Sequence, residues 1–228
     1  FRRYHLGCRE AVTNAINWFF SKETEGVIVE DDCIPHPTFF LACEELLSKH
    51  RDQENVFMIS ASNFVPSFNM ENSYIFSRLY PIWCWATWRR AWDYYSSEIS
   101  DWQNYRETGD LEYFGSMQET VTELIDQEFR GEVSLSWGVL WRYHCLRNGG
   151  LSIILDSNLV SNIGFGHPDA TRQVKYNKIA KTPVQPIFSP LSHPDIIEPN
   201  QSFDEQALRF YYGNRYEHQY SQLSNVIQ

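Results

Sequence analysis

Basic residues are scarce in this chain. Lys and Arg number 19 against 29 Asp and Glu, a formal net charge of −10 with histidine neutral. Nucleic-acid binders draw much of their affinity from neutralising phosphates, so this deficit argues against that class. Long apolar runs are missing, and no stretch approaches the ~20 residues a transmembrane helix needs. No signal-peptide pattern is present, because Phe1-Arg2-Arg3-Tyr4-His5 is followed by no long apolar region. There is no initial Met either, so the sequence is expected to start inside a longer one. Paired cysteine motifs are absent. Cys8, Cys33, Cys43, Cys84 and Cys145 are odd in number and show neither CxxC nor zinc spacing. They predict reduced, mostly buried thiols and an intracellular protein, cytoplasmic or peripheral to the membrane. Gly-rich phosphate loops and kinase-like motifs are lacking, which leaves a phosphoryl-transfer enzyme without support. Internal repeats and low-complexity segments are lacking too.

What is present is globular. Hydrophobic residues make up 43% of the 228 positions and aromatics 16%, including 8 Trp. That length suits one large domain, read here over residues 1–180, with an extended tail over 181–228 that holds a short helix at 204–212. Within the domain, Gly26-Val27-Ile28-Val29-Glu30-Asp31-Asp32-Cys33 is the organising stretch. Its apolar, β-branched half predicts a strand buried on both faces. Three carboxylates cannot follow into a core, since unpaired buried charge is very costly. They belong at the carboxyl end of the strand, where open α/β sheets place ligands. A solvated acidic strand end would look the same in sequence. The functional alternative is a divalent cation bridging the acids to phosphates.

Around it, residues 4–22 carry Cys8, Val12, Ile16 and Phe19 at helical spacing. Pro37 suits the first turn of a helix whose apolar face is Phe39, Phe40, Cys43, Leu46 and Leu47. Strands are expected at 56–59, 74–77 and 151–155, and helices near 117–129 and 135–147. Helix, strand, helix, strand is the grammar of a parallel α/β sheet. The acidic strand should be central, yet the strands that ought to flank it are not evident. An amino-terminal portion is therefore expected to lie outside this sequence. The fold class expected is α/β, with a mixed, mostly parallel sheet flanked by helices and incomplete at the amino terminus.

An apolar strand ending in Glu30-Asp31-Asp32, followed by Pro37, Phe39 and Phe40, resembles the acidic metal motif of GT-A glycosyltransferases. Three further stretches look like one bacterial branch of that superfamily, nucleotide-diphospho-sugar transferases akin to the N-acetylglucosaminyltransferase I group. They are Leu6-Gly7-Cys8-Arg9-Glu10-Ala11, the block from Ile82 to Trp92, and Asn158 to Gly166. The resemblance spans roughly residues 4–172.

The resemblance implies a metal-dependent glycosyltransferase. It would pass a sugar from a nucleotide-diphosphate donor to a glycan or other hydroxyl acceptor, with inversion. Asp32 would ligate Mn²⁺ or Mg²⁺, with Glu30 and Asp31 near the donor ribose and sugar. Asn63 could contact donor or acceptor, and His167, with Arg172 beside it, could contact the diphosphate. Trp83, Trp85 and Trp88 would lie beside the donor sugar, although such a Trp cluster is more often core. Two positions depart from the pattern. Cys84 stands where relatives usually have Gly. Gly138 stands where an Asp follows the Trp of a Trp-Asp-x-x-Trp arrangement, so the general base is unassigned and Glu132 is the nearest acid. The alternative is a non-catalytic member that binds nucleotide-sugar or glycan.

Overall fold

The computed structural model describes residues 6–130, 136–165 and 179–224. The chain opens with helix α1 (Gly7–Phe20), strand β1 (Glu25–Ile28) and the short strand β2 (Cys33–Pro35). Helix α2 (Thr38–Lys49) and strands β3 (Val56–Ser60), β4 (Tyr74–Ser77) and β5 (Trp85–Trp88) follow. Helices α3 (Arg89–Trp92), α4 (Trp102–Thr108), α5 (Gln118–Phe129) and α6 (Trp137–Arg147) lead to β6 (Leu151–Leu155) and β7 (Val160–Asn162). Helix α7 (Gln201–Ser224) is the last element.

Five strands form one sheet in the order β1-β5-β3-β6-β4, and β2 pairs with β7 in a separate ribbon. The expected mixed α/β architecture is present, but the sheet is mostly antiparallel. Among the described strands only β3 and β6 pair in parallel; β1–β5, β5–β3 and β6–β4 are antiparallel. The cause is the tryptophan block. Its second half has helical spacing, yet only residues 89–92 coil, and Trp85-Ala86-Thr87-Trp88 becomes a strand inserted between β1 and β3. Because β1 and β3 are each antiparallel to β5, they point the same way, and β6 points with them. The alternation of helices and strands therefore gave the direction of three strands, and the two aromatic strands run against them.

A second correction concerns β1. Its four residues are all partly exposed, and among the described residues no strand pairs with its outer edge, so it is an edge strand and not a central one. Centrality belongs to β3, whose five residues are buried. Gly26 suits β1 because the tip of the Phe19 ring of α1 packs on it; a Cβ there would lie 2.3 Å from Phe19 Cζ.

The sheet separates two apolar clusters. On one side Trp85 meets Trp92, Trp137 and Trp141 at ring separations of 6.2, 5.9 and 5.5 Å, backed by Ile16 and Phe20 of α1. On the other, Phe39, Cys43 and Leu46 of α2 cover Val56, Ile59, Ala86, Trp88 and Ile153. The register shift between Val56 and Met58 explains why neighbouring β3 side chains do not simply alternate between the two. Burying large rings on both faces is the main source of stability in such a sheet.

The segment after residue 181 first runs as an irregular strap. Ile187 and Leu191 enter the α2-side cluster. Glu45 fastens the strap, accepting hydrogen bonds from the Leu191 amide (3.0 Å) and the Ser189 hydroxyl (2.9 Å). His193 joins Glu45 at 3.3 Å and Tyr74 at 3.1 Å, and Tyr74 in turn meets buried His50 at 2.9 Å. Helix α7 is anchored by Asp204, a fully buried carboxylate. It accepts hydrogen bonds from the Ser77 hydroxyl, the Arg78 amide and the Tyr113 hydroxyl. Burial raises its pKa to about 6, and these three donors limit the rise. All five cysteines are free and four are buried. Among the described residues no helix is long and apolar enough to cross a membrane.

Candidate metal and ligand site

The common direction of β1, β3 and β6 brings their carboxyl ends to one edge of the sheet. Three loops meet there: the acids after β1, Ser60 to Asn63 after β3, and Asp156 to Asn158 after β6. The acid loop is a tight turn in which the Cys33 amide donates to the Glu30 carbonyl at 3.1 Å. The β2–β7 ribbon then lays residues 160–162 against 33–35 and carries the next loop over the acids. The Ile163 amide donates to the Asp32 carbonyl at 2.8 Å. Gly164 lies against the Asp32 side chain, held by its amide hydrogen bond to Asn162 Oδ1 at 2.8 Å.

Glu30, Asp32 and Cys33 each offer a ligand atom, and these atoms all lie within 4.8 Å of one another. Burial, reinforced by the charges of Asp32 and Asp31 and opposed by Arg142, raises Glu30 to about 7. Burial first, then Asp32 and Glu30, push the Cys33 thiol upward, and the thiol donates to Asp32 Oδ1 at 3.4 Å. Burial and then Glu30 raise Cys84 to about 12. All three shifts share a leading cause, burial, and the negative charge of neighbouring carboxylates adds to it. A divalent cation would offset that charge. Two carboxylates fit Mg²⁺ or Mn²⁺, which usually take one or two and complete their shell with phosphate and water oxygens. Asp31 is exposed and stands outside the cluster.

The other expected site residues divide clearly. Trp83 is partly exposed and faces this edge, with Phe165 and Phe64 packed edge-on at 5.3 and 5.0 Å. Trp85 and Trp88 do not join it. Both are almost wholly buried, Trp85 among the indoles of one cluster and Trp88 in the other, with its Nε1 donating to the Leu47 carbonyl. Neither has a ring face left for a sugar. Asn63 is at the right edge but is fully engaged in the fold. Its amide group donates to the carbonyls of Leu155 and Asp156 and its Oδ1 accepts from the Val65 amide. Glu132, His167 and Arg172 lie outside the described residues.

Cys84 takes a backbone conformation that favours glycine, with φ at +53°. A non-glycine residue there carries strain of about 1–2 kcal/mol. Its carbonyl accepts from the Ala61 amide at 3.0 Å, which fixes Trp83 beside the end of β3. At Gly138 an added Cβ would stand 2.3 Å from Ile82 Cδ1. The Ile82 side chain thus occupies the space that a side chain at position 138 would need.

Sequence reasoning gave no role to Cys33 or Arg142, and it had Gly164 and Phe165 only as part of the stretch from Asn158 to Gly166. Cys33 directly follows Asp32 in the turn, and the β2–β7 ribbon brings Gly164 and Phe165 to the site. Arg142 reaches it from α6, its Nε donating to the Tyr80 carbonyl at 3.1 Å. A thiol directly after three acids was the one available signal. No protein-family model matches the chain, and no curated protein matches it.

Proposed function

We propose that the chain is a divalent-metal-dependent nucleotide-sugar glycosyltransferase domain of GT-A type, with Asp32 and Glu30 as the carboxylate ligands. The observation that carries this reading is the convergence of Glu30, Asp32 and Cys33 within 4.8 Å at the carboxyl edge of the sheet, beside a partly exposed Trp83. Acids at that edge suit a cation, and an aromatic face suits the apolar face of a sugar ring. Bound there, Mn²⁺ or Mg²⁺ would offset the charge of a departing nucleoside diphosphate. The chain's own residues hold and orient: the 30–33 turn presents the carboxylates, Gly164 lets the covering loop approach, and Trp83 with Phe165 forms an aromatic wall. Arg142 adds fixed positive charge next to Glu30.

A second reading is a member of the same fold that binds a nucleotide-sugar or glycan without turnover. One observation favours it: Ile82 fills the space beside Gly138, where the resemblance expects a general base. Calorimetry with UDP and Mn²⁺ tests the site. Binding that needs the metal and disappears in Asp32→Ala supports it; metal-independent binding sinks it. Hydrolysis of a panel of UDP-sugars then separates enzyme from binder.

A further inference from the structure

The strap after residue 181 is tied to α2 and β4 by a line of four side chains. His50 Nε2 meets the Tyr74 hydroxyl at 2.9 Å, that hydroxyl meets His193 Nδ1 at 3.1 Å, and His193 Nε2 meets Glu45 Oε1 at 3.3 Å. Proton count gives the line a direction. A carboxylate only accepts, so His193 Nε2 carries a proton and donates to Glu45. In the neutral ring Nδ1 is then the acceptor, and the Tyr74 hydroxyl donates to it. His50 Nε2 in turn donates to Tyr74. With both histidines neutral, every polar atom in the line is used except His50 Nδ1, which is buried and has no partner among the described residues.

One more proton has no place in this line. On His193 it sits at Nδ1 and points at the Tyr74 oxygen. The Tyr74 proton must then turn to His50 Nε2, which drives the His50 proton to Nδ1, where nothing accepts it. On His50 it goes to the same Nδ1 and puts a charge at a residue 3% exposed. The neighbouring charges do not help. Lys49 of α2 acts on both rings, and Arg90 of α3, donating to the His50 carbonyl at 2.9 Å, adds a second cation. Glu45 of α2 is the opposing charge at His193. Burial first, then Lys49, holds both histidines below their ordinary value. We propose that this line is an acid-released latch: neutral histidines pin residues 187–193 to α2 and β4, and proton uptake lets that stretch lift away while the sheet stays folded. The sign follows from linkage, since groups whose pKa is depressed on closing favour the closed strap at neutral pH and oppose it as pH falls. Only Ile187 and Leu191 of this stretch belong to the core, and its other ties, from the Ile187 amide to Thr38 and between Ser73 and Ser192, do not titrate. The event is therefore local. It needs no ligand and does not depend on the glycosyltransferase reading.

Amide hydrogen exchange followed by NMR on the whole chain tests it between pH 7 and pH 5. The Leu191 and Ser192 amides, which donate to Glu45 Oε1 at 3.0 Å and Ser73 Oγ at 2.9 Å, report on the strap. Ile59 and Ile153, paired in β3 and β6, report on the sheet. Protection factors at Leu191 and Ser192 should fall about tenfold or more over that range, while Ile59 and Ile153 keep theirs. His193→Gln cannot take up a proton but can still donate to Glu45, and its fall should be smaller than the parent's by about threefold or more. Adding His50→Phe should abolish the fall. His193 is only half-buried, so His193→Gln keeps the fold and the test stands even where the double variant does not. Unchanged protection of the strap amides, a fall shared by Ile59 and Ile153, or the same fall in His193→Gln as in the parent overturns the latch.

Discussion

Gly164 closes directly on Asp32. A Cβ built on Gly164 would stand 2.5 Å from Asp32 Oδ2 and 3.2 Å from its Cβ, although 132 positions separate the two residues. The loop after β7 and the acid turn after β1 therefore form one structure. Gly164→Ala must push the carboxylate aside. Metal-dependent UDP binding is expected to fall about tenfold or more, which corresponds to ~1.4 kcal/mol. Stability should change by under ~1 kcal/mol, because the loop is at the surface. Calorimetry and urea unfolding of the same variant check both halves.

Two neighbouring tryptophans should respond in opposite ways. Trp85→Ala empties the centre of the indole cluster and is expected to cost about 3–5 kcal/mol in urea unfolding. Trp83→Ala removes a partly exposed ring at the site. It should weaken UDP-sugar binding and leave UDP binding nearly unchanged, with a much smaller loss of stability. Equal effects of both variants on folding would remove Trp83 from the site.

Position 84 should discriminate by backbone shape and not by size. Cys84→Gly relieves the strain of φ +53° and gives up a small buried thiol, so its net effect on stability is expected within about 1 kcal/mol of zero. Cys84→Thr changes the volume little but places a β-branched residue in the left-handed region, and should cost more than ~2 kcal/mol. Paired denaturant curves give the comparison.

Stability at acid pH should carry the signature of His50. Burial lowers its pKa from 6.5 to about 4 in the folded chain. A depressed histidine contributes stability that is whole above 6.5 and is lost as pH falls through 4, because the unfolded chain takes up the proton first. Relative to His50→Phe, the parent chain is expected to lose roughly 3 kcal/mol between pH 7 and pH 4. Asp204 acts in the other direction: its raised pKa makes its contribution fade as pH rises through about 6. The difference between parent and variant curves, and not the raw profile, isolates His50. Parallel curves would refute the assignment.

Much of this architecture could be read in the residues, and the failures have identifiable causes. Helices α1 and α2 and strands β3 and β6 followed from apolar period and run length, and the acids fell at a sheet edge because charge cannot enter a core. The Trp85–Trp88 strand was hidden because the block holds indoles at both two- and four-residue spacing, so local pattern fits strand and helix alike. Asn63 resembled a ligand contact; only the carbonyls of Leu155 and Asp156, more than 90 positions away, show that its amide closes the fold. Arg142 was invisible for the same reason, since no local pattern announces a contact made from the far side of a helix; Gly164 and Phe165 lay in a stretch that the resemblance singled out, but nothing local placed them against Asp32 and Trp83.

The strand order also sets a timetable for synthesis. Among the described residues β4 pairs with one strand, β6, which is made after β5 and four intervening α-helices, and its other contact of this kind, the bridge from Phe76 to Pro199, comes later still. A nascent chain can assemble β1, β5 and β3 once Trp88 has emerged. Tyr74 and Phe76 of β4 must wait, apolar and unpaired, until Leu155 leaves the ribosome. Long-range pairing of this kind slows folding and exposes sticky edges, so β4 is the segment a holding chaperone would be needed to cover.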